Sequence, residues 1–180
     1  GFRKKFFNFK SLHFYDLYNS MVPKSEKNYS FEEAVELIVE SVAPLGDEYQ
    51  GILKKGLTVD RWVDRYENQN KRCGAYSTGC YDSHPFILMN YKGSLRDVMT
   101  LAHEAGHSLH SYLSNKNQPY AYSNYSIFVA EVASTFNEDL LFNYMLKNIS
   151  SSVEKAYLLN QKIDDIRSTL FRQTMFAEFE

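Results

Sequence analysis

The sequence predicts a mainly α-helical fold with a small β-hairpin that precedes its central helix. Apolar residues recur at three- and four-residue steps over residues 95–113 and 124–146, which is typical of helices that face a core. Residues 73–91 instead carry two glycines, a proline and a short apolar run, as hairpins do. With 44% hydrophobic content, residues 1–180 are expected to form a single unit.

Short helices are expected before the hairpin. Residues 12–21 look helical and end before Pro23. Ser30 and Glu33 stand three apart in the pattern of a capping box, in which each side chain hydrogen-bonds the other residue's backbone. They predict a second helix, which the turn residues at positions 44–46 would close.

Two more short helices and a long terminal one complete the prediction. Residues 47–55 form a helix ended by Gly56, another helix spans about residues 58–66, and residues 68–71 form a loop. Residues 152–180 read as one long helix that lacks a stop signal and carries negative charge at its end, where the helix dipole prefers cations. We therefore expect the polypeptide to continue beyond residue 180 as part of a larger catalytic domain.

The central helix has a clear start and end in the sequence. Ser94 and Asp97 form a second capping-box pattern, and no proline interrupts residues 95–113. The polar run at residues 114–119 ends in a proline and supplies the stop.

This helix carries the motif His103-Glu104-x-x-His107. Residues four apart lie on one helix face, so both imidazoles can reach one ion. Glu104 is rotated by about 100° from His103 and lies beside that ion, where it can take a proton from water. Two neutral imidazoles suit Zn²⁺, so the motif predicts a catalytic zinc site with Glu104 as the base. The alternative is a helix with two solvated histidines.

A third protein ligand is expected for a catalytic zinc ion, and Glu131 is the candidate. It lies within the mostly apolar segment 124–146, where an isolated buried charge is costly unless it has a partner. Two histidines and a glutamate form a known catalytic ligand set, which predicts one zinc ion per chain. The alternative is a glutamate on a solvated face or in a salt bridge.

Three stretches of the chain resemble the oligoendopeptidase F family of thimet-oligopeptidase-like zinc metallopeptidases. They read GAYSTGCYDSHPFILMNY, TLAHEAGHSLHSYLSNKNQPY and YSIFVAEVASTFNE, and the final LFRQTMFAEFE is also similar. The resemblance implies a helical zincin-type catalytic domain with His103, His107 and Glu131 as zinc ligands and Glu104 as general base. It also implies cleavage of short unstructured peptides within a deep channel, with oxyanion-stabilising residues beyond Glu180.

Other residues are candidates for supporting roles. His110, Ser134 and Glu138 are expected to hydrogen-bond or pack against the ligands, since such groups fix the orientation of metal-bound imidazoles.

The hairpin supplies candidates for substrate contact. Tyr76, Tyr81 and His84 lie in it, and an extended peptide can add to a strand edge beside the cleft. The alternative is a hairpin that only covers the helix.

Composition excludes several partner classes. A net charge of −2 gives no electrostatic case for nucleic-acid binding, and no apolar stretch is long enough to predict a membrane span. Cys73 and Cys80 match no zinc or redox spacing; we expect reduced, partly buried thiols and a cytoplasmic setting. Two other functions stay open. One is a zinc metallocarboxypeptidase, which needs a cation for the substrate carboxylate, and no clear candidate for it stands out. The other is a non-catalytic metal-stabilised scaffold fragment or inactive relative. The remainder of the parent polypeptide is an expected partner of the chain.

Overall fold

The computed structural model describes residues 1–23 and 27–180, and these are mainly α-helical, as the sequence predicts. The chain divides into two compact units. One is the segment Lys27–Lys147, and the other combines Gly1–Glu26 with Asn148–Glu180. Whether both belong to the single unit expected from the sequence stays a prediction.

The terminal unit begins with a short helix. Helix α1 spans Phe2–Phe6, and a 3₁₀ helix spans Phe14–Tyr18. The expectation of a helix over residues 12–21 is therefore wrong in extent. The 3₁₀ helix ends at Asn19, whose extended backbone stops the helical conformation.

The end of the chain is helical but not uniform. Helix α6 spans Ser152–Ile166, and α7 spans Arg172–Phe179. Between them Arg167–Phe171 form a π-helical stretch, so the predicted long helix is interrupted by a change in hydrogen-bond spacing. Arg172 donates a hydrogen bond of 3.2 Å to the Tyr18 hydroxyl within this unit.

The middle unit consists of four helices and a small sheet. Helix α2 spans Phe31–Ser41, α3 Asp47–Thr58, α4 Leu95–Asn117 and α5 Ile127–Asn148. Both predicted capping boxes are present, at Ser30 with Glu33 and at Ser94 with Asp97. The largest side chains buried in this unit include Phe31, Ile38, Leu53, Leu57, Trp62, Ile87, Met89, Leu101, Leu109 and Leu141.

Three short strands form the sheet. Strand β1 spans Val63–Asp64, β2 Tyr76–Thr78 and β3 Phe86–Leu88, in the spatial order β1-β3-β2. The predicted hairpin is the antiparallel pair β2 and β3, in which Ser77 lies opposite Ile87. Strand β1 adds in parallel to the other side of β3 and leaves β2 at an edge.

The prediction of a helix over residues 58–66 is wrong, because Trp62 folds back onto α3. A Cβ at Gly56 would lie 2.5 Å from the Trp62 ring, so the glycine makes room for the indole. The chain reverses at Arg61, whose φ of 54° lies in the left-handed region. Gly56 therefore does not end α3 but serves as its contact with Trp62.

The central helix is longer than expected. Helix α4 continues beyond residue 113 to Asn117, and Gln118 ends it in an extended conformation just before Pro119. Among the residues that the structure describes, no helix is both long and apolar enough to cross a membrane.

Candidate metal centre

The metal-site candidates lie on two helices that approach each other closely. His103, Glu104 and His107 lie on α4, and Glu131 lies on α5. A Cβ at Gly106 would lie 2.7 Å from the Cα of Ser134, so only glycine allows this approach of the α5 backbone. The contact brings the Glu131 carboxylate to the two imidazoles.

The three candidate ligands form a cluster with the dimensions of a zinc site. The Nε2 atoms of His103 and His107 lie 3.0 Å apart. The carboxylate oxygens of Glu131 lie 3.5 Å from His103 Nε2 and 3.8 Å from His107 Nε2. Tetrahedral zinc with bonds of about 2.0–2.1 Å needs ligand atoms about 3.3 Å apart. Two imidazoles and a carboxylate whose ligand atoms all lie within 4.8 Å of one another therefore fit a zinc ion.

Hydrogen bonds fix the orientation of both imidazoles. His103 Nδ1 bonds the carboxylate of Glu138, which leaves Nε2 directed at the cluster. The His107 ring forms a hydrogen bond to the backbone of Ala130 on α5. Carboxylate and carbonyl partners of this kind set the tautomer of metal-binding histidines.

Ser134 holds the third candidate ligand. Its hydroxyl is fully buried and lies 3.1 Å from Glu131 Oε2, and it can also donate to the Glu131 carbonyl oxygen at 3.1 Å. Ser134 lies one helical turn beyond Glu131, so the same contact with Gly106 positions both residues.

The surroundings of the two histidines shift their pKa values in opposite directions. Burial lowers the pKa of His103, but the hydrogen bond to Glu138 and the nearby carboxylates outweigh it and leave this pKa above its usual value. Burial and the neighbouring His103 lower the pKa of His107. Since a metal ion needs the unprotonated ring, it competes with a proton mainly at His103.

Glu104 lies beside the cluster and is buried, with 7% of its surface exposed. Burial raises the pKa of its carboxyl group, while the charge of His103 and a hydrogen bond from the Ser77 backbone partly oppose this. Ser77 also ties β2 to α4 through a 2.8 Å contact between its hydroxyl and that of Ser108. The edge strand and the carboxylate are thus held together.

His110 lies on the same helix but is not part of the cluster. Its ring stacks on Tyr125 with 3.7 Å between centroids. Within the described residues its Nδ1 is buried without a hydrogen-bond partner, and burial lowers the pKa of the ring. Tyr125 in turn hydrogen-bonds Ser111, one turn beyond His107.

The three hairpin candidates lie in different surroundings. Tyr76 is exposed on β2. Tyr81 donates a 2.8 Å hydrogen bond to the Gln118 carbonyl and lines a cavity of about 360 Å³ with Ser111 and Tyr125. The His84 ring packs at a tilt against Phe86 at the start of β3, with 4.3 Å between centroids.

Sequence reasoning missed the residues that position the site through the backbone. Gly106 carries no side chain, and its only signal was a glycine inside a helix, where it costs about 1 kcal/mol relative to alanine. Ser77 had no signal, since its contacts to Glu104 and Ser108 depend on the register of β2. Cys73 and Cys80 are free but exposed, contrary to expectation, because they lie just outside the edge strand β2.

Comparison with known proteins relates the whole chain to one group of peptidases. The sequence model of peptidase family M3 matches residues 1–180. Oligopeptidase PepF of Bacillus subtilis (strain 168) is 52% identical over 178 residues, which cover 99% of this chain and 26% of that protein. An oligoendopeptidase F homolog of Borreliella burgdorferi is 53% identical over 180 residues, or 99% of this chain and 30% of that protein. The chain thus spans less than a third of the length of these relatives.

Solved structures confirm the predicted fold class. A protein from Chlamydophila abortus matches with a TM-score of 0.86 and 55% identity over 98% of this chain and 29% of its own. Oligoendopeptidase-F from Enterococcus faecium matches with a TM-score of 0.60 and 30% identity over 99% of this chain and 23% of its own. Together these matches confirm the resemblance to the oligoendopeptidase F family.

Proposed function

This chain belongs to peptidase family M3, and on that premise we propose that it is the metal-binding part of a zinc-dependent endopeptidase that hydrolyses short peptides. The observation that carries the proposal is the cluster of His103, His107 and Glu131. Two helices bring three ligand atoms within 4.8 Å of one another, with a buried glutamate beside them. We assign one zinc ion per chain to this cluster.

Held by His103, His107 and Glu131, a zinc ion would supply the Lewis acidity that polarises a carbonyl group and acidifies a water molecule. Glu104 takes the proton of the attacking water and passes it to the leaving amine. Burial favours this role, since it raises the pKa of the carboxyl group and makes it a better proton acceptor. Glu138, Ser134 and the Ala130 backbone hold the ligands in place.

Strand β2 is the surface on which we place the substrate. The Ile87 backbone amide donates to the Trp62 carbonyl, so the backbone of Ile87 points to the β1 side of β3. Ser77 lies opposite Ile87 and is therefore at a position of the antiparallel β2–β3 pair that is not hydrogen-bonded. The backbone of Ser77 therefore faces away from β3, towards Glu104. A peptide that adds to this edge as one more strand passes beside the catalytic glutamate and the metal cluster.

The substrate roles expected for the hairpin residues rest on this placement. Tyr76 lies on the edge strand itself, and Tyr81 lines the cavity one turn beyond His107. His84 lies in the loop between β2 and β3, just before β3, and its role depends on the path of the peptide.

Two alternatives make different predictions. A metallocarboxypeptidase on this scaffold releases single C-terminal residues, and a non-catalytic scaffold binds zinc without hydrolysing peptides. The buried Glu104 favours an enzyme, since zinc binding alone does not need it. A cytoplasmic setting and packing against the rest of a longer polypeptide remain part of the proposal.

One experiment separates these functions. The longest natural chain that contains these residues is freed of metal by a chelator, reloaded with one equivalent of zinc, and given a short unstructured peptide. We expect hydrolysis to stop without metal, to return with zinc, and to yield internal fragments by mass spectrometry. Release of single C-terminal residues would support the carboxypeptidase, and zinc binding without hydrolysis would support the scaffold.

A further inference from the structure

A cavity of about 340 Å³ opens onto the candidate base. Its lining includes Glu104 together with Thr100 and Arg96. These three residues stand four apart on α4, so they form one row along the helix. The row leads from the catalytic glutamate to the start of the helix.

The opposite wall of the cavity is a fixed backbone segment. Gly74 lies there with a φ of 92°, a conformation that other residues rarely adopt. The Asn90 side chain donates hydrogen bonds of 2.9 and 3.1 Å to the carbonyls of Arg72 and Gly74. This segment runs directly into the edge strand β2, so a peptide on that edge continues into the cavity.

Of the two cations in this cavity's lining, Arg96 is the one without an ion-pair partner among the described residues. Asp97 is engaged in capping α4 through Ser94, and Lys92 pairs with Glu67 at 2.7 Å. Within residues 1–23 and 27–180, no carboxylate or hydrogen-bond partner engages Arg96. It is exposed at the second position of α4, where the helix dipole disfavours a positive charge. An anion in the cavity would give Arg96 an ion-pair partner and offset its unfavourable interaction with the helix dipole.

Two backbone lengths indicate how far the cavity extends from Glu104 and from the neighbouring Ser77. Arg96 lies eight residues before Glu104, or about 12 Å along the helix at 1.5 Å per residue. Gly74 lies three residues before Ser77, or about 10 Å along an extended chain at 3.3 Å per residue. An extended peptide covers this distance in about three residues.

Resting on the function proposed above, we propose that this cavity binds a substrate carboxylate about three residues from the scissile bond, with Arg96 as its partner. The guanidinium can bind a carboxylate with two parallel hydrogen bonds. Both an acidic side chain and the C-terminal carboxylate of a short peptide offer this group.

The test uses internally quenched peptides that share one cleavage site. Glu or Gln occupies, one at a time, each of the three positions on either side of the scissile bond. A second pair ends three residues after the bond, as free acid or amide. We expect Glu at the third position on one side of the scissile bond, or the free acid three residues after the bond, to raise kcat/KM by roughly tenfold. This is the change for one hydrogen bond to a charged group.

Variants decide whether Arg96 is the cause. In Arg96→Gln the preference for the acidic peptide should fall below about twofold, while Arg96→Lys keeps part of it because the charge remains. Lys54→Gln removes the same charge from the surface of α3 and should keep the full preference. A preference that persists in Arg96→Gln, or the absence of any preference in the parent, would overturn the proposal.

A binding measurement separates this proposal from the proposed function. In Glu104→Gln protein, fluorescence anisotropy gives the Kd of the labelled acidic and neutral peptides without turnover. We expect Arg96→Gln to weaken binding of the acidic peptide alone, by roughly tenfold. Arg96-dependent binding by a parent that hydrolyses no peptide would contradict the function and support the site. Hydrolysis of neutral peptides with no Arg96-dependent binding would support the proposed function and contradict the carboxylate site.

Discussion

Gly106 and Ser134 are in such close contact that a side chain at position 106 would strike the backbone of the facing helix. A Cβ there would lie 2.7 Å from Ser134 Cα and 2.9 Å from the carbonyl oxygen of Ala133. The glycine stands between Glu104 and His107, and Ser134 hydrogen-bonds Glu131. One close approach of α4 and α5 therefore sets the distance between the two parts of the candidate metal site.

Replacement of Gly106 by alanine should push α4 and α5 apart at the candidate metal site. The added methyl group meets backbone atoms, which cannot move as a flexible side chain can, so α5 must shift away. We expect a net loss of about 1–2 kcal/mol in the free energy of unfolding, since overpacking exceeds the gain in helix propensity. Zinc affinity should fall by about tenfold or more as Glu131 moves. Denaturant titration and competition with a zinc chelator measure the two effects.

Gly51 offers a matched control on α3. A Cβ at this helical position meets nothing within 4 Å, so Gly51→Ala should stabilise the protein by about 0.4–1 kcal/mol and leave zinc affinity unchanged. Gly106→Ala protein with parental stability and zinc affinity would show that the close approach does not set the site.

The ligand assignment predicts one zinc ion per chain, bound by His103, His107 and Glu131. His103→Ala and Glu131→Ala should each lose most of the bound zinc, as measured by elemental analysis of folded protein after dialysis. His110 lies on the same helix, but its imidazole stacks on Tyr125 and not on the cluster. The His110→Ala variant should therefore keep about one zinc per chain. Equal zinc contents in all three variants would refute the assignment.

Glu138 should control zinc affinity without binding the metal. Its carboxylate accepts the hydrogen bond from His103 and so orients the ring. Loss of such a partner typically reduces metal affinity by about 10- to 100-fold, which we expect for Glu138→Ala. Glu138→Gln, which keeps an acceptor, should lose less. Glu48→Ala removes an α3 carboxylate that pairs with Lys116 of α4 at the surface, and its zinc affinity should match the parent.

Residues 1–180 alone should cleave peptides more slowly than the longest natural chain. The chain spans less than a third of its relatives' length, and the family resemblance implies oxyanion donors outside these residues. Loss of one such donor typically costs about 10²–10³ in rate. The measurement is kcat/KM per bound zinc on one fluorogenic peptide shorter than about twenty residues, which stays unstructured. Equal values would place the complete site within these residues.

The two histidines of the candidate metal cluster were predictable on one helix face because their signals are local. His103 and His107 share one helix turn, and Ser94 with Asp97 marks where that helix begins. The apolar pattern around Glu131 likewise predicted a helix, although only the structure shows that its carboxylate reaches the imidazoles.

The predictions that are wrong and the features that the sequence did not show depend on tertiary contacts. The sequence predicts a helix over residues 58–66 with Thr58 as its cap, but the burial of Trp62 against Gly56 outweighs local propensity. Strand β1 exists only because it pairs with β3, more than twenty residues further along the chain. The cavity at Arg96 depends on the fold of the Gly74 segment, which no local pattern predicts.

The most direct test of the proposed chemistry is the activity of Glu104→Gln in the longest natural chain, measured with its zinc content. Glutamine keeps the size of the side chain and does not alter the candidate ligands His103 and His107, but it does not accept a proton as a carboxylate does. The account predicts about one zinc per chain and a loss in kcat of at least ~10²-fold, the lower range for a positioned general base. A Glu104→Gln enzyme with normal zinc content and parental kcat would contradict it.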